Sequence, residues 1–237
     1  MQREHSDVSD SLRVMSPPAG LAWRRLTLAD LDAIYALHCT SIAGMEVKSV
    51  KLETRSFFVS MIGDRGQVIG LFNGADLVAY GVLQHDLKLG DNPLPALGLP
   101  AQTPICKLAG AAVAQDWRHQ GLQRLLIRAR LQLAGDLGVV FSTAAPSNPA
   151  SWSNLLACGL AVHAIRYMYG DHPRYLMVRM PPELDNLILD AAHVGEYLDC
   201  SDLERQKLRL AQGWRGIGLA EARNAVHYQP TLPRKHG

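Results

Sequence analysis

The sequence has little of what marks several common classes of protein. Its 24 lysines and arginines against 22 acidic residues give a net charge of only +2, which disfavours a dedicated nucleic-acid binder because such a surface must offset many phosphates. Its four cysteines are scattered and form no C-x-x-C pair, so neither a zinc site nor a disulfide framework is predicted. No apolar run approaches the roughly 18 residues that a membrane-spanning helix needs. We expect a protein of the reducing cytoplasm without a metal, a membrane segment or a nucleic-acid partner.

Two phosphate-binding motifs are also missing. The chain has no G-K-[ST] of a nucleotide-triphosphate loop and no G-x-G-x-x-G that opens a helix. An α/β dinucleotide enzyme would also need a repeated βαβ pattern from the N-terminus, whereas this chain begins with the pattern of one strand, two helices and a hairpin. The dinucleotide fold is therefore the weaker structural alternative.

What is present predicts one domain with extensions. The 237 residues are 48% apolar, which is enough for a sizeable core. Residues 1–20 are polar, contain Pro17-Pro18 and lack the apolar stretch of a signal peptide, so we interpret them as a flexible tail. A second proline pair, Pro181-Pro182, marks a boundary. The predicted organisation is a tail over 1–20, a domain over 21–180 and a C-terminal extension over 181–237.

The hydrophobic periodicity predicts a mixed α/β (α+β) architecture. The predicted elements are a strand at 22–26, helices at 28–38 and 54–62, a hairpin of strands at 67–72 and 77–84, a central strand at 105–115, a helix at 122–137, and strands at 139–145, 160–169 and 174–180. Asn73-Gly74 supplies the hairpin turn. The Gly- and Pro-rich connection at 85–104 could be a tolerated surface insertion or a lid over an acceptor site.

The C-terminal extension carries fewer signals. Ser201 and Glu204 predict a capping box that opens a helix ending at Gly213. Residues 213–218 are predicted to form a turn, and no motif is assigned to them. The extension could cover a substrate cleft, mediate a homodimer or pack as a cap.

The clearest functional signal lies in residues 113–126, V-A-Q-D-W-R-H-Q-G-L-Q-R-L-L. An apolar strand runs into a basic, glycine-containing turn and then into a helix, whose first N–H groups have no partner within the helix. A phosphate there gains hydrogen bonds and the positive end of the helix dipole. Gly121 permits a close backbone approach, and Arg118 adds a permanent cation. This layout predicts a site for an anion such as a pyrophosphate.

The helix after this turn carries three arginines away from its apolar stripe. We interpret Arg124, Arg128 and Arg130 as a solvated face. Arg124 stands in the first turn, close enough to the predicted anion site to contact a phosphate.

At this strand–turn–helix junction the chain resembles the GNAT superfamily of acyl-CoA-dependent N-acyltransferases, whose central motif reads approximately V-x-P-x-x-R-G-x-G-x-G/A. Val113, Arg118 and Gly121 are in register with it. The positions that differ are Gln115, His119 and Gln123. The G-L-Q at this place also occurs in a poorly characterised bacterial branch of the superfamily.

A second stretch resembles the family signature N-x-x-[AS], which leads into a helix closing at G-F. Asn148 and Ser151 match, and Gly159-Leu160 stands at the expected spacing. Asn148 is also a natural N-cap and Gly159 a natural residue beyond a helix C-terminus, so each has a local explanation. Together, at the family spacing, they extend the resemblance over roughly residues 21–180.

The resemblance implies the GNAT fold, with a central mixed, mostly antiparallel sheet flanked by helices, and acetyl-CoA as cosubstrate. It implies that backbone groups of the strand ending near Val113 hold the pantetheine arm. The pyrophosphate would lie against the N–H groups of Gln120, Gly121 and Gln123. The residues assigned to the cofactor are Val113, Arg118, His119, Gln120, Gly121, Leu122, Gln123, Arg124, Asn148 and Ser151.

The catalytic groups depart from the family pattern. The strand at 105–115 lacks the glutamate that many members carry there, and Leu155 stands where a tyrosine usually protonates the leaving thiolate. Asp116, at the turn, we interpret as a solvated carboxylate.

Replacements for the missing acid are Ser151, Tyr167 and Tyr169. By strand parity, Tyr167 and Tyr169 share one face with His163, which would place an acid or base on that face. Two alternatives to a side-chain acid stay open. These residues could be half-buried strand residues without a catalytic role, and proton transfer could take place directly with solvent.

These expectations describe an N-acyltransferase that moves an acetyl group from acetyl-CoA to an amine of a small molecule or a protein terminus, by direct attack in a ternary complex. A non-catalytic CoA- or acyl-CoA-binding sensor protein is the principal alternative. An acyltransferase of charged tRNA is a third, which the near-neutral charge disfavours.

Overall fold

The computed structural model describes residues 16–136, 138–222 and 224–234. Most of the predicted N-terminal tail, residues 1–15, therefore lies outside the described residues. Two compact units are present: the first is formed by the chain up to Gly44 and by Leu52–Gly138, the second by Met45–Lys51 and Val139–Gly237. The domain boundaries predicted at residues 20 and 181 stay predictions.

The first unit contains four strands in one antiparallel sheet. They are β1 (Leu21–Arg25), β2 (Gly66–Asn73), β3 (Asp76–Gln84) and β4 (Ile105–Val113), and they lie side by side in chain order. Gly74, at the turn between β2 and β3, has a φ of +59°, a conformation that costs glycine little. The predicted Asn-Gly hairpin is confirmed.

Helices cover both faces of this sheet. They are α1 (Leu31–Ile42), α2 (Arg55–Ile62) and α3 (Leu122–Ala134). Helices α1 and α2 pack on the face that carries Val68 and Phe72, whereas α3 packs on the face that carries Ile69 and Leu71. The alternation along β2 is the period of two expected of a strand buried on both faces. Helix α3 ends earlier than predicted because Gly135 turns the chain with a φ of +72°.

A β-bulge in β4 places Ala109 and Gly110 opposite the single residue Val82 of β3. Arg130 of α3 reaches this bulge and is only 2% exposed. Its Nη1 donates to the carbonyl oxygens of Val82, at 3.1 Å, and Ala109, at 3.3 Å. The prediction of a solvated Arg130 is wrong, because backbone carbonyls beside the bulge compensate the buried charge. Arg124 and Arg128 are exposed, as predicted.

The second unit contains the remaining strands. In chain order they are β5 (Val139–Ala144), β6 (Ala161–Met168), β7 (His172–Arg179), β8 (Leu187–Leu189), β9 (Glu196–Asp199), β10 (Arg215–Leu219), β11 (Ala225–Gln229) and β12 (Thr231–Pro233). The order within the sheet is β5-β7-β6-β10-β11-β9 with antiparallel pairs, and β8 pairs separately with β12. The turn predicted over residues 213–218 is wrong, because Arg215–Leu219 forms β10.

The pairing of β10 depends on a glycine. Gly216 lies opposite Val162 of β6, and a Cβ at position 216 would stand 2.9 Å from the Val162 Cβ. Only a residue without a side chain permits this approach. Gly216, one of the glycines in the predicted turn, therefore brings two strands close together.

Helices α4 (Pro149–Leu156) and α5 (Leu203–Ala211) complete the second unit. The predicted cap of α4 is confirmed, because the Asn148 side chain accepts from the Ser151 N–H. The cap of α5 is Asp202, whose Oδ1 accepts from the Arg205 N–H at 3.1 Å. The predicted Ser201 capping box is therefore wrong by one residue.

The connection at 85–104 contains two short 3-10 turns, at Leu89–Asp91 and Leu94–Leu97. The Leu94 side chain is fully buried, so this part of the connection packs as core. Its role as a lid stays a prediction. Of the helices that the described residues form, none combines the length and the apolar character that crossing a membrane requires.

Candidate active site

The turn between β4 and α3 has the backbone geometry of an anion site. His119 and Gly121 both adopt positive φ, +63° and +78°, so the chain reverses sharply before α3 begins. Gly121 is the N-cap of α3 and provides no capping side chain, and the first turn of the helix contains no acidic residue. The N–H groups of this turn therefore meet no side-chain acceptor from the N-cap and no carboxylate from the first turn of the helix itself, which favours an external anion.

The side chains of this turn have different surroundings. Arg118 donates from Nε to the Val113 carbonyl at 3.4 Å and from Nη2 to the Ser41 carbonyl at 3.2 Å. It therefore ties the end of β4 to the end of α1. Gln120 donates from Nε2 to the Asp116 carbonyl at 3.3 Å, and Leu122 is buried in the core. Gln120 and Leu122 can offer an anion chiefly their backbone N–H groups.

Beside Arg118 lies a shallow groove of about 370 Å³. Its walls come from α1 and from the ends of β3 and β4, and its charged residues are Asp76 and Arg118. With one acidic and one basic residue, the groove has no net positive charge to add to the anion site.

The two family positions in the second unit lie together at the start of α4. Asn148 Oδ1 accepts from the Ser151 N–H at 3.2 Å, and Asn148 Nδ2 points to the Ser49 carbonyl at 3.5 Å. Ser147 adds a second link, with its Oγ 2.9 Å from that of Ser49. The signature residues thus cap a helix and contact the segment 45–51.

The candidate tyrosines do not share a face. A β-bulge at His163 shifts the register of β6 against β7, and β6 ends at Met168, so the parity prediction is wrong. Tyr167 is 49% exposed and accepts from Lys207 Nζ at 2.9 Å. Tyr169 lies beyond the strand with a φ of +55°, and its hydroxyl is 3.5 Å from Thr143 Oγ1.

His163 is also unsuited to proton transfer near neutral pH. Burial, assisted by the positive charge of Arg215, lowers the pKa of His163 to about 3. Its Nδ1 is buried without a hydrogen-bond partner. A histidine in this state remains neutral at pH 7 and acts as an apolar strand residue.

One carboxylate that the sequence did not single out lies beside β4. The Cγ of Glu53 is 3.7 Å from the position of a Cβ at Gly110, which is one of the two bulge residues. Because position 110 has no side chain, Glu53 can approach the strand backbone. The residue is partly exposed, so water can reach it.

A buried network holds the backbone of Glu53 in place. The Glu53 N–H donates to His38 Nε2 at 3.1 Å, and His38 Nδ1 lies 2.9 Å from the Tyr80 hydroxyl. Since Nε2 accepts, the ring proton is on Nδ1 and is donated to Tyr80. Burial lowers the pKa of His38, and burial followed by the charge of Glu53 raises the pKa of Tyr80, so both side chains stay neutral. The only sequence signal for Glu53 was its place next to the Thr54 N-cap.

The described residues contain no group of three or more histidines, cysteines or carboxylates that could hold a metal ion. This finding concerns only the part of the chain that the structure describes.

Comparison with known proteins gives a match through structure. No family model matches the sequence, and no curated protein sequence does. NAA60 from Arabidopsis thaliana, solved with acetyl-CoA, has a TM-score of 0.54 at 13% identity, over 68% of this chain and 99% of that chain. The ribosomal-protein-S5-alanine acetyltransferase from Vibrio fischeri has a TM-score of 0.52 at 9% identity, over 72% and 98%.

A third similar structure is spermidine N-acetyltransferase from Vibrio cholerae in complex with CoA and spermine, with a TM-score of 0.50 at 14% identity, over 70% of this chain and 98% of that chain. At these identities the likeness establishes the fold. The fold is that of N-acetyltransferases. More particularly, the chain has the GNAT fold, as the resemblance at Val113, Arg118 and Gly121 predicted.

Proposed function

We propose that the chain is an N-acyltransferase that moves an acetyl group from acetyl-CoA to an amine of a small molecule or a protein terminus, by direct attack in a ternary complex. The observation that carries the proposal is the turn before α3, where Gly121, with a φ of +78°, begins the helix without a side-chain cap. The fold supports the same cofactor, because the similar NAA60 and V. cholerae structures contain acetyl-CoA and CoA.

The cofactor would be held mainly by backbone groups. The N–H groups of Gln120, Gly121 and Gln123 would donate to the pyrophosphate, and the backbone of β4 up to Val113 would pair with the pantetheine arm. Arg118 fixes the turn through its bonds to the Val113 and Ser41 carbonyls, and its charge favours the anion. His119, Leu122, Arg124, Asn148 and Ser151 stay proposed cofactor residues.

The acceptor must be neutral when it attacks. A primary alkyl ammonium has a pKa of about 10.4, so less than about one part in a thousand is neutral at pH 7. We assign the base to Glu53, which would take the ammonium proton through a water molecule. The amine nitrogen then attacks the thioester carbonyl carbon, and the new C–N bond forms. The nitrogen of the tetrahedral intermediate loses its second proton to water, and the C–S bond breaks as the intermediate collapses to the amide.

The leaving thiolate requires a proton. Ser151, Tyr167 and Tyr169 remain the proposed donors, and water is the alternative. Tyr167 accepts a hydrogen bond from Lys207, and the Tyr169 hydroxyl lies 3.5 Å from the Thr143 hydroxyl. Replacing each tyrosine by phenylalanine, and Ser151 by alanine, tests the three donors separately.

Calorimetric titration with acetyl-CoA and CoA, followed by thiol release against a panel of amines, tests the proposal. Binding with turnover supports the transferase and begins to identify the acceptor. Binding without turnover supports the sensor protein instead, and absence of binding contradicts both.

The role of Glu53 has its own test. Glu53→Gln should lower kcat by roughly 100-fold or more at pH 7 and leave the Kd for acetyl-CoA unchanged, since loss of a general base affects chemistry. The loss should shrink as the pH rises toward the pKa of the amine. The exposed Glu183→Gln is the control for a lost surface charge. Equal kcat in both variants would assign the base elsewhere.

The remaining expectations are proposals as well. We propose a cytoplasmic location, consistent with four cysteines that are all free thiols. An amine is the proposed substrate partner, and a homodimer through the extension is a further proposal that sedimentation would test.

A further inference from the structure

Arg174 of β7 is a buried cation with an unused donor. It is 2% exposed, and its Nη1 donates to the carbonyls of Lys48 at 2.6 Å and Pro173 at 3.0 Å. Its Nη2 is buried and has no hydrogen-bond partner. A buried polar atom of this kind is uncommon and calls for an explanation.

Other cations lie near Arg174, and no carboxylate of the described residues pairs with it. Arg166 of β6 is its cross-strand partner in the register of the sheet, so the two arginine side chains leave the same face. Two cations make cation–π contacts with the Tyr169 ring: Lys51 Nζ lies 5.0 Å from the ring centroid, and Arg174 Cζ lies 5.6 Å from it. Among the described residues neither Arg174 nor Arg166 makes an ion pair.

This arrangement is electrostatically incomplete. Like charges directly opposite each other on neighbouring strands repel, and a buried charge without a counterion is unfavourable. Burial lowers the pKa of Arg174, and Tyr169 acts in the opposite direction. A guanidinium nevertheless stays protonated in proteins. An anion bound at Nη2 would satisfy the donor and offset the positive charge at once.

We propose that Arg174, supported by Arg166 and Lys51, binds a carboxylate of the acceptor, so that the acceptor is an amine that also carries a carboxylate. This inference rests on the proposed transferase function for the identity of the ligand. A carboxylate is planar and matches the planar guanidinium. Lys51 is exposed and Tyr169 is partly exposed. Because Nη2 is buried, a ligand reaches it only after neighbouring side chains move.

The test compares amino acids with their primary amides as acceptors for the full chain with acetyl-CoA. Rates are expressed per neutral amine, because the amide and the acid differ in amine pKa. The wild-type kcat/KM should favour the acid by 10-fold or more. Arg174→Gln should reduce this ratio to about 1 and leave the amide rate within twofold, whereas Arg174→Lys should retain part of the preference. Exposed Arg128→Gln is the matched control and should keep the full ratio.

Two further measurements keep the outcomes distinct. Thermal unfolding with N-acetyl amino acids against their amides needs no turnover, so a carboxylate-specific rise in the midpoint supports the site even if the transferase proposal fails. The Kd for CoA should not change in Arg174→Gln, and its loss would assign the guanidinium to a phosphate of the cofactor and overturn the proposal.

If Arg174→Gln fails to fold because the Lys48 carbonyl loses its donor, the double variant Arg166→Gln/Lys51→Gln takes its place. It removes two charges without touching that carbonyl, and the acid-to-amide ratio should fall at least threefold. An unchanged ratio in the double variant, or equal rates for acid and amide in the wild type, overturns the proposal.

Discussion

The side chain of Arg130 occupies the space that a side chain at Gly81 would need. A Cβ built at Gly81 would lie 2.8 Å from Arg130 Nε and 3.1 Å from its Cδ. Gly81 is therefore required by an arginine that stands 49 residues further along the chain, and the pair joins α3 to the sheet beside the bulge in β4.

This relationship predicts a coupling between the two positions. Gly81→Ala alone should destabilise the protein by about 1–3 kcal/mol, since the new methyl group displaces a packed side chain. In an Arg130→Ala background the same change should cost at least about 0.5 kcal/mol less, because the obstructing side chain is gone. Urea unfolding of the four proteins measures this coupling. Strictly additive effects would show that the protein relieves the contact in another way.

The anion site predicts a separable effect on binding. Gly121→Glu places a carboxylate at the turn and should abolish measurable acetyl-CoA binding. Because Gly121 has a positive φ, the substitution should also cost about 1 kcal/mol of stability. Gly74→Glu is the matched control, because Gly74 has a φ of +59° and open space around its Cβ position. The control should lose similar stability and keep the wild-type Kd in calorimetry. Full affinity in folded Gly121→Glu would place the phosphates elsewhere.

His163 predicts a pH-dependent stability. Its folded pKa of about 3 lies below the ordinary 6.5, so the unfolded chain binds the proton more readily between these values. Stability is therefore lost as the pH falls below about 6.5, by up to about 1.4 kcal/mol per pH unit from this group. His163→Gln should flatten the dependence between pH 6.5 and 5, as measured by urea midpoints. Parallel curves for the two proteins would mean that His163 becomes charged in the fold.

The close approach of β10 to β6 predicts unequal costs for one change at two glycines. A Cβ at Gly216 would lie 2.8 Å from Val226 Cγ1 and 2.9 Å from Val162 Cβ, whereas at Gly218 the nearest atom is His227 Cβ at 3.1 Å. Gly216→Ala should therefore destabilise more than Gly218→Ala, by about 1 kcal/mol or more. Thermal unfolding of both variants tests this. Equal midpoints would indicate that β10 pairs loosely with the rest of the sheet.

Local signals predicted much of the fold. The Asn73-Gly74 hairpin, the Asn148 cap and the start of α3 at Leu122 all follow from residues within a few positions of each other. The periodicity predicted the mixed α/β architecture, and the GNAT fold was implied by the resemblance at Val113, Arg118 and Gly121 and at Asn148 and Ser151.

The failures involve residues that are distant in sequence. Arg130 looked solvated because the carbonyls that receive it belong to β3 and β4. The prediction that His163, Tyr167 and Tyr169 share one face of β6 was wrong because the strand contains a bulge, which inserts one residue without changing the hydrophobic pattern. Glu53 went unnoticed because its relation to Gly110 exists only after folding. A sequence pattern cannot show contacts of this kind.

Helix α3 is fixed to the sheet by the buried side chains of Leu122, Leu126 and Ala129 and, near its far end, by Arg130. The N–H groups of its first turn are therefore already oriented before any phosphate arrives. A ligand that binds a preorganised turn does not lose affinity to ordering the protein. An anion as small as inorganic pyrophosphate should then compete with CoA at this turn, although it has nothing that corresponds to the pantetheine arm.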